Sequence, residues 1–279
     1  MNKILAHIKI MRPLNLIIGA FTVIITASIL NKLDQISVWF TALCVVVFYN
    51  AAANSINDFF DQETDKINRP LRPLVSGDVH PQTALFLSII LFIIGTFLAI
   101  TLPLASTIIA IAIVLPLMIF YSILFKGMPL VGNFIIAVIL GLTFLFSGAA
   151  LRDTGTMVIP ALLAFGLTIV RELVKDISDV EGDQRVGLKT FPIVFGIEKA
   201  WFLAAVFAIF IGVTAFVPFV MNKYNQLYII IVLFGIEIPL GLTVFSAMKS
   251  PTNITAKRIA QLLKFSTIAG VFAVWLGSM

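Results

Sequence analysis

Asp58, Asp61 and Asp65 have the spacing Asp-x-x-Asp-x-x-x-Asp, and Asp176, Asp179 and Asp183 repeat it. Each run follows a long apolar stretch. The two runs hold six of only 14 acidic residues, in a chain that is 12% charged with a mean hydropathy of +1.08. Carboxylates gathered at the ends of membrane-length segments are costly to keep together. Divalent cations resolve that conflict. Asn57, Asp61 and Asp65 lie at i, i+4 and i+8, so a helix stacks them on one face, with Asp58 on the flank. Asp176, Asp179 and Asp183, at i, i+3 and i+7, share a face in the same way. No His or Cys accompanies either run, and hard oxygen donors point to Mg²⁺ rather than zinc. Mg²⁺ takes few protein ligands and usually bridges to substrate phosphates. Two solvated acidic helix ends would be a simpler account, but they give no reason for the repeat.

Basic residues alternate with these acids. Arg69 and Arg72 follow the first run, Lys175 precedes the second, and Arg185 and Lys189 follow it. Lys126 ends an apolar stretch in "YSILFKG". A metal-bound diphosphate keeps free oxygens that Arg and Lys would cap. Arg12, in "MRPLN", is a similar case with Asn15 one turn on. The competing explanation for any one of these cations is the general excess of Lys and Arg on cytoplasmic loops. Arg171, Glu172 and Glu237 fall at or inside apolar segments. Intramembrane charges are functional candidates by default, though Glu237 paired with Arg171 would be structural.

The elements that must position these groups are membrane helices. A chain that is 60% hydrophobic with 25 Phe is not a soluble globular domain. A spanning helix needs about 20 apolar residues. The sequence predicts nine, near 14–30, 38–56, 82–101, 104–124, 132–151, 157–174, 200–220, 227–247 and 259–277. In lipid every backbone polar group must pair internally, so these should be helices. No cleavable signal pattern precedes the first, which is expected to stay. Cys44 stands alone inside a span, so disulfides and zinc are excluded. With nine spans, all Lys and Arg except Lys32, Arg152 and Lys223 share the side of the N-terminus. That asymmetry predicts a multi-pass cell-membrane protein with a cytoplasmic N-terminus and both acidic runs on the cytoplasmic side. The net charge of +5 suits anionic lipid and phosphate, and nothing suggests nucleic acid. The whole of 1–279 is expected to be one membrane domain. Its two long motif loops, about 57–80 and 176–199, would cap it.

These residues resemble the UbiA superfamily of intramembrane prenyltransferases. The resemblance rests on Asn57-Asp58-x-x-Asp61-x-x-x-Asp65 with "NRPLRPLVSG" following, on Asp179-x-x-x-Asp183 with "VGLKT" following, and on Tyr121 with Lys126. It covers nearly the whole chain. It implies an all-α fold of nine transmembrane helices around a central cavity, and Mg²⁺-dependent transfer of a prenyl group from a prenyl diphosphate. Asp58, Asp61, Asp65, Asp179 and Asp183 would then be catalytic. Asn57, Asp61, Asp65, Asp176, Asp179 and Asp183 would hold two Mg²⁺ ions. Arg12, Asn15, Arg69, Arg72, Tyr121, Lys126, Lys175 and Lys189 would bind substrate. "RPLN", "KGMPLVGN" and "RELVKDISDVEGD" are most similar to archaeal members that use geranylgeranyl diphosphate. These prenylate the free glycerol hydroxyl of geranylgeranylglyceryl phosphate. Prenylation of an aromatic acceptor such as hydroxybenzoate or naphthoate is the alternative. A divalent-cation transporter would place polar residues at mid-span in several helices, and a lipid-binding scaffold would have no need of stacked metal ligands.

Overall fold

The computed structural model describes residues 3–279, and among them no strand occurs. The chain forms α1 (Lys3–Ile10), α2 (Pro13–Ile29), α3 (Ile36–Phe60), α4 (Gln62–Asn68), α5 (Pro81–Ile100) and α6 (Leu104–Phe125). It continues through α7 (Val131–Ala150), α8 (Val158–Arg185), α9 (Phe191–Phe195), α10 (Ile197–Val220), α11 (Gln226–Lys249) and α12 (Asn253–Gly277). Among the described residues eight helices are long and apolar enough to cross a membrane. A ninth crossing is added if the α1–α2 pair, bent by 58°, counts as one. All nine predicted spans thus correspond to helices. The chain is an integral membrane protein.

Two compact units divide the chain. One runs up to Phe125 and takes in Leu142–Met157; the other comprises Lys126–Gly141 and Val158–Met279.

In the first unit α3 packs most extensively on α5. Ala42, Ala51, Ala52, Ala84 and Ala99 are fully or almost fully buried. Tyr49 sets its hydroxyl 2.9 Å from Thr96 Oγ1 and its ring edge-on to Phe92. In the second unit α8 lies along α12 and α10. Trp201, Tyr228, Leu173, Ile177, Leu240 and Leu263 form the centre of its core. Both units bury small side chains and turn many Phe outward, including Phe97, Phe202, Phe210 and Phe234. Helices in lipid gain no hydrophobic drive from burying Phe, and close approach favours Ala and Gly. Hydroxyls inside the spans bond their own helix: Thr26 donates to Thr22 O, Ser147 to Thr143 O and Thr243 to Pro239 O.

Three stretches widen into π-helical turns: Ile108–Val114 and Tyr121–Phe125 in α6, and Leu233–Glu237 in α11. Pro116 and Pro239 follow the first and third of them within the same helices. A proline supplies no N–H and crowds the carbonyl four residues back, and a π turn relieves both.

The segments read as motif loops are partly helical. Residues 57–60 complete α3, 62–68 form α4, and 176–185 complete α8. The helices outlast the apolar runs because backbone bonding does not stop where the side chains turn polar.

Candidate active site

In the first unit the acidic run sits where α3 gives way to α4. Asp61 lies at the break, with φ −88° and ψ 3°. The break leaves the stacking intact. Asp61 N–H donates to Asn57 O at 2.9 Å, Asp65 N–H to Asp61 O at 2.8 Å, and Arg69 N–H to Asp65 O at 2.8 Å. Asn57, Asp61 and Asp65 therefore keep the one-turn spacing predicted for them, and Arg69 continues the stripe. Asp58, Asp61 and Asp65 are all buried. Asp65 pairs with Arg72 and, at 3.6 Å, with Arg69. Its Oδ1 is buried and accepts no hydrogen bond. Burial pushes the Asp65 carboxyl above its ordinary value against the pull of Arg72, and burial draws the Arg72 guanidinium below its own.

Asp58 Oδ1 accepts from Arg12 Nη2 at 2.6 Å and from Arg72 Nη1 at 2.9 Å. Arg12 heads α2 in the left-handed region, with φ 56° and ψ 72°. Asn15 closes that turn, its N–H donating to Arg12 O at 2.9 Å. Tyr121 and Ser122 are buried on the π turn of α6, and Ser122 Oγ donates to Asn57 Oδ1.

In the second unit α8 runs unbroken through Asp176, Asp179 and Asp183 to Arg185. Asn133 of α7, itself buried, donates from Nδ2 to Asp176 Oδ2 at 2.8 Å. Ser178 Oγ donates to Asp179 Oδ1 at 3.2 Å. One turn earlier, the buried Glu172 accepts from Arg171 Nη2 at 2.5 Å and from Lys175 Nζ at 2.8 Å. The partner of Arg171 is thus Glu172 and not Glu237. Glu237 stands beside Gly212, where an added Cβ would come within 2.8 Å of Oε2, and its Oε1 is buried with no hydrogen-bond partner. Helical neighbours in sequence satisfy Arg171 before a partner on another span can.

Gly187, at φ +76°, ends α8 by the left-handed cap typical of glycine, and Leu188 N–H donates back to Asp183 O at 3.0 Å. The chain then meets the segment after α6, where Lys189 N–H donates to Gly127 O at 3.0 Å. A side chain at 127 would sit 2.9 Å from Leu188 Cδ2, so only glycine fits this approach without displacing Leu188. Lys126 and Lys189, far apart in sequence, are brought together there.

Among the described residues no three His, Cys, Asp or Glu side chains gather closely enough to hold a metal alone. The first stripe offers two carboxylates and an amide oxygen, with one Asp65 oxygen unused. The second offers Asp179 and Asp183, with Asp176 tied to Asn133. This hard-oxygen donor set suits Mg²⁺, which fills its remaining positions from water and phosphate. Sequence reasoning missed Asn54, Ser122, Asn133 and Ser178. Lone amides in apolar stretches were a signal for Asn54 and Asn133; the two serines had none.

An all-helical membrane protein with an acidic stripe and attendant cations in each unit has the architecture of a polytopic membrane enzyme. The chain belongs to the UbiA prenyltransferase family, whose sequence model matches residues 16–276. It is therefore a prenyltransferase. It is 34% identical to a digeranylgeranylglyceryl phosphate synthase of Thermococcus kodakarensis over 98% of both chains. Against the enzyme of the same name from Methanosphaera stadtmanae it is 30% identical, over 98% of this chain and 99% of that one. A solved structure described as digeranylgeranylglyceryl phosphate synthase in membranes superimposes with a TM-score of 0.76. It is 30% identical, covering 100% of this chain and 99% of that one. A UbiA homologue of Archaeoglobus fulgidus bound to DMAPP and Mg²⁺ shares the fold, with a TM-score of 0.64 at 16% identity over 96% and 98% of the two chains.

Proposed function

We propose that this chain transfers a geranylgeranyl group from geranylgeranyl diphosphate to the free glycerol hydroxyl of geranylgeranylglyceryl phosphate, giving digeranylgeranylglyceryl phosphate. The observation that carries this reading is the full-length similarity to enzymes of that activity, combined with a buried carboxylate stripe paired with Arg72 in one unit and a partly buried one in the other.

Asn57, Asp61 and Asp65 would hold one Mg²⁺, and Asp179 and Asp183 a second, with Asp176 supporting them through its bond to Asn133. Bound there, Mg²⁺ supplies Lewis-acid stabilisation of the charge that grows on the diphosphate as the allylic C–O bond breaks. Arg69, Arg72, Lys126 and Lys189 are assigned to the remaining diphosphate oxygens, which fixed positive charge would stabilise. Tyr121, Asn15 and Lys175 are assigned to substrate binding, Lys175 being anchored on Glu172. The allylic carbon develops cationic character and is captured by the glycerol hydroxyl, which loses its proton. The apolar spans exclude water, which would otherwise intercept that carbon. Arg12 is assigned to the acceptor phosphate. The site faces the cytoplasm, in keeping with the one-sided Lys and Arg.

Purified enzyme in detergent with geranylgeranyl diphosphate tests the acceptor directly. Geranylgeranylglyceryl phosphate, 4-hydroxybenzoate and a naphthoate are offered together, and products are identified by mass. The expected product is digeranylgeranylglyceryl phosphate, formed with Mg²⁺ and lost with EDTA. Turnover of an aromatic acid alone would overturn the lipid assignment.

A further inference from the structure

We propose that Asp58 is a positioning residue for two diphosphate-facing arginines and not a metal ligand, and that Asn54 shares the task. The inference rests on the prenyl-diphosphate reading above and assigns roles within that site.

Two polar stripes run down the end of α3, about 100° apart. Asn57 begins the stripe that continues through Asp61 and Asp65. Asn54 and Asp58, one turn apart, form the other. Both members of the second stripe hold the α1–α2 bend. Asn54 Nδ2 donates to Met11 O at 2.9 Å, and Asp58 Oδ1 accepts from Arg12 Nη2 at 2.6 Å. The bend needs holding, because Arg12 is a non-glycine residue in the left-handed region at φ 56°.

Asp58 Oδ1 also accepts from Arg72 Nη1, whose guanidinium pairs in turn with Asp65 of the first stripe. The segments that carry the two arginines are packed together independently. Ile10 and Ala6 of α1 share a buried cluster with Leu74 and Val79, which follow Arg72. Asp58 is 3% exposed beneath both arginines, while their side chains remain 31% and 18% exposed. Asp58 accepts hydrogen bonds from two guanidinium groups, whereas Asp65, paired with Arg72 through Oδ2, keeps Oδ1 without a hydrogen bond for a metal. A guanidinium has five N–H donors in a rigid fork. One fixed by Asp58 presents the others in a set direction, which is what a diphosphate seat requires. Arg12 thereby serves the same anion as Arg72, next to its assignment to the acceptor phosphate.

The test measures binding of inorganic diphosphate in the presence of Mg²⁺ by calorimetry, and the Mg²⁺ concentration for half-maximal prenyl transfer. The variants are Asp58→Asn and, for comparison, Asp61→Asn. Loss of a charge-assisted contact to each arginine should weaken diphosphate binding and raise KM for geranylgeranyl diphosphate about tenfold. The Mg²⁺ requirement of Asp58→Asn should stay within about twofold, by the same assignment that raises it in Asp61→Asn. An Asp58→Asn enzyme whose Mg²⁺ requirement rises as far as that of Asp61→Asn, with unchanged diphosphate binding, contradicts the proposal. Should Asp58→Asn not fold, Arg12→Lys and Arg72→Lys probe the same link from the other side. Each should weaken diphosphate binding at constant Mg²⁺ requirement, and normal diphosphate binding in both would overturn the proposal. Wild-type enzyme that binds Mg²⁺ and diphosphate but does not prenylate the glycerol phosphate would sink only the acceptor reading. Wild-type enzyme that binds no diphosphate would sink both.

Discussion

Asn133 is a single amide at the start of an apolar helix, yet it holds one carboxylate of the second stripe at 2.8 Å. Replacing it with leucine leaves the partly buried Asp176 carboxylate without that donor. A buried charged group that loses such a bond costs about 1–3 kcal/mol. Asn133→Leu should therefore lower the melting temperature in detergent by several degrees, and Asn133→Ser should recover part of the loss; an unchanged melt in Asn133→Leu would dismiss the pairing. The spacing of the aspartates was readable before any coordinate, because i, i+4 geometry follows from residue numbers alone. Their partners were not. Arg12 meets Asp58 from 46 residues away and Asn133 meets Asp176 from 43. Contacts between helices depend on rotation and depth, which residue spacing along one helix does not encode. Arg171 shows the opposite error: a distant partner in Glu237 was plausible on charge, but Glu172 next to it is satisfied first.

At the scale of elements, the site depends on where helices end. Apolar length placed the spans well, but it ended the sixth near residue 174. The helix runs on to Arg185 because its polar end keeps its backbone bonds until Gly187 turns it. The second stripe thus stands on a rigid helix and not on a loop, which fixes its three aspartates relative to one another. Gly127 makes the return of the chain possible by admitting Leu188. Gly127→Val should force that segment away and separate Lys126 from Lys189. KM for the prenyl diphosphate is expected to rise several-fold with little change in melting temperature, since both segments are at the surface. A Gly127→Val enzyme with wild-type KM would show that this approach does not matter to substrate binding. Gly95 is the contrasting case. A Cβ there would lie 2.6 Å from the Tyr49 ring, in the α3–α5 interface. Gly95→Leu should destabilise by about 1–3 kcal/mol through overpacking, read as a lower melting temperature.

At the scale of the whole molecule, an apolar chain of 279 residues holds six of its 14 acidic residues in two short runs, and the nine-span reading puts all its Lys and Arg but Lys32, Arg152 and Lys223 on one side. The spans were legible because lipid imposes simple rules on length and composition. The inward placement of alanine and outward placement of phenylalanine were not, since both are merely apolar in sequence. The orientation can be checked by labelling. In a Cys44→Ser background, single cysteines at Ser76 and Gln184 should react with a membrane-impermeant maleimide only from the cytoplasmic side. Cysteines at Asn31 and Lys223 should react only from the other. The reverse pattern would invert the topology.

Asp61 in one stripe and Asp183 in the other are each proposed to hold Mg²⁺ for prenyl transfer. The most direct test is the rate of prenyl transfer by Asp61→Ala and Asp183→Ala, each shown to be folded by its melting profile, across a Mg²⁺ titration. Each single change should reduce the rate by about 100-fold or more, the scale of losing one transition-state charge stabiliser, and excess Mg²⁺ should restore little of it. Near wild-type transfer by either folded variant would contradict that assignment.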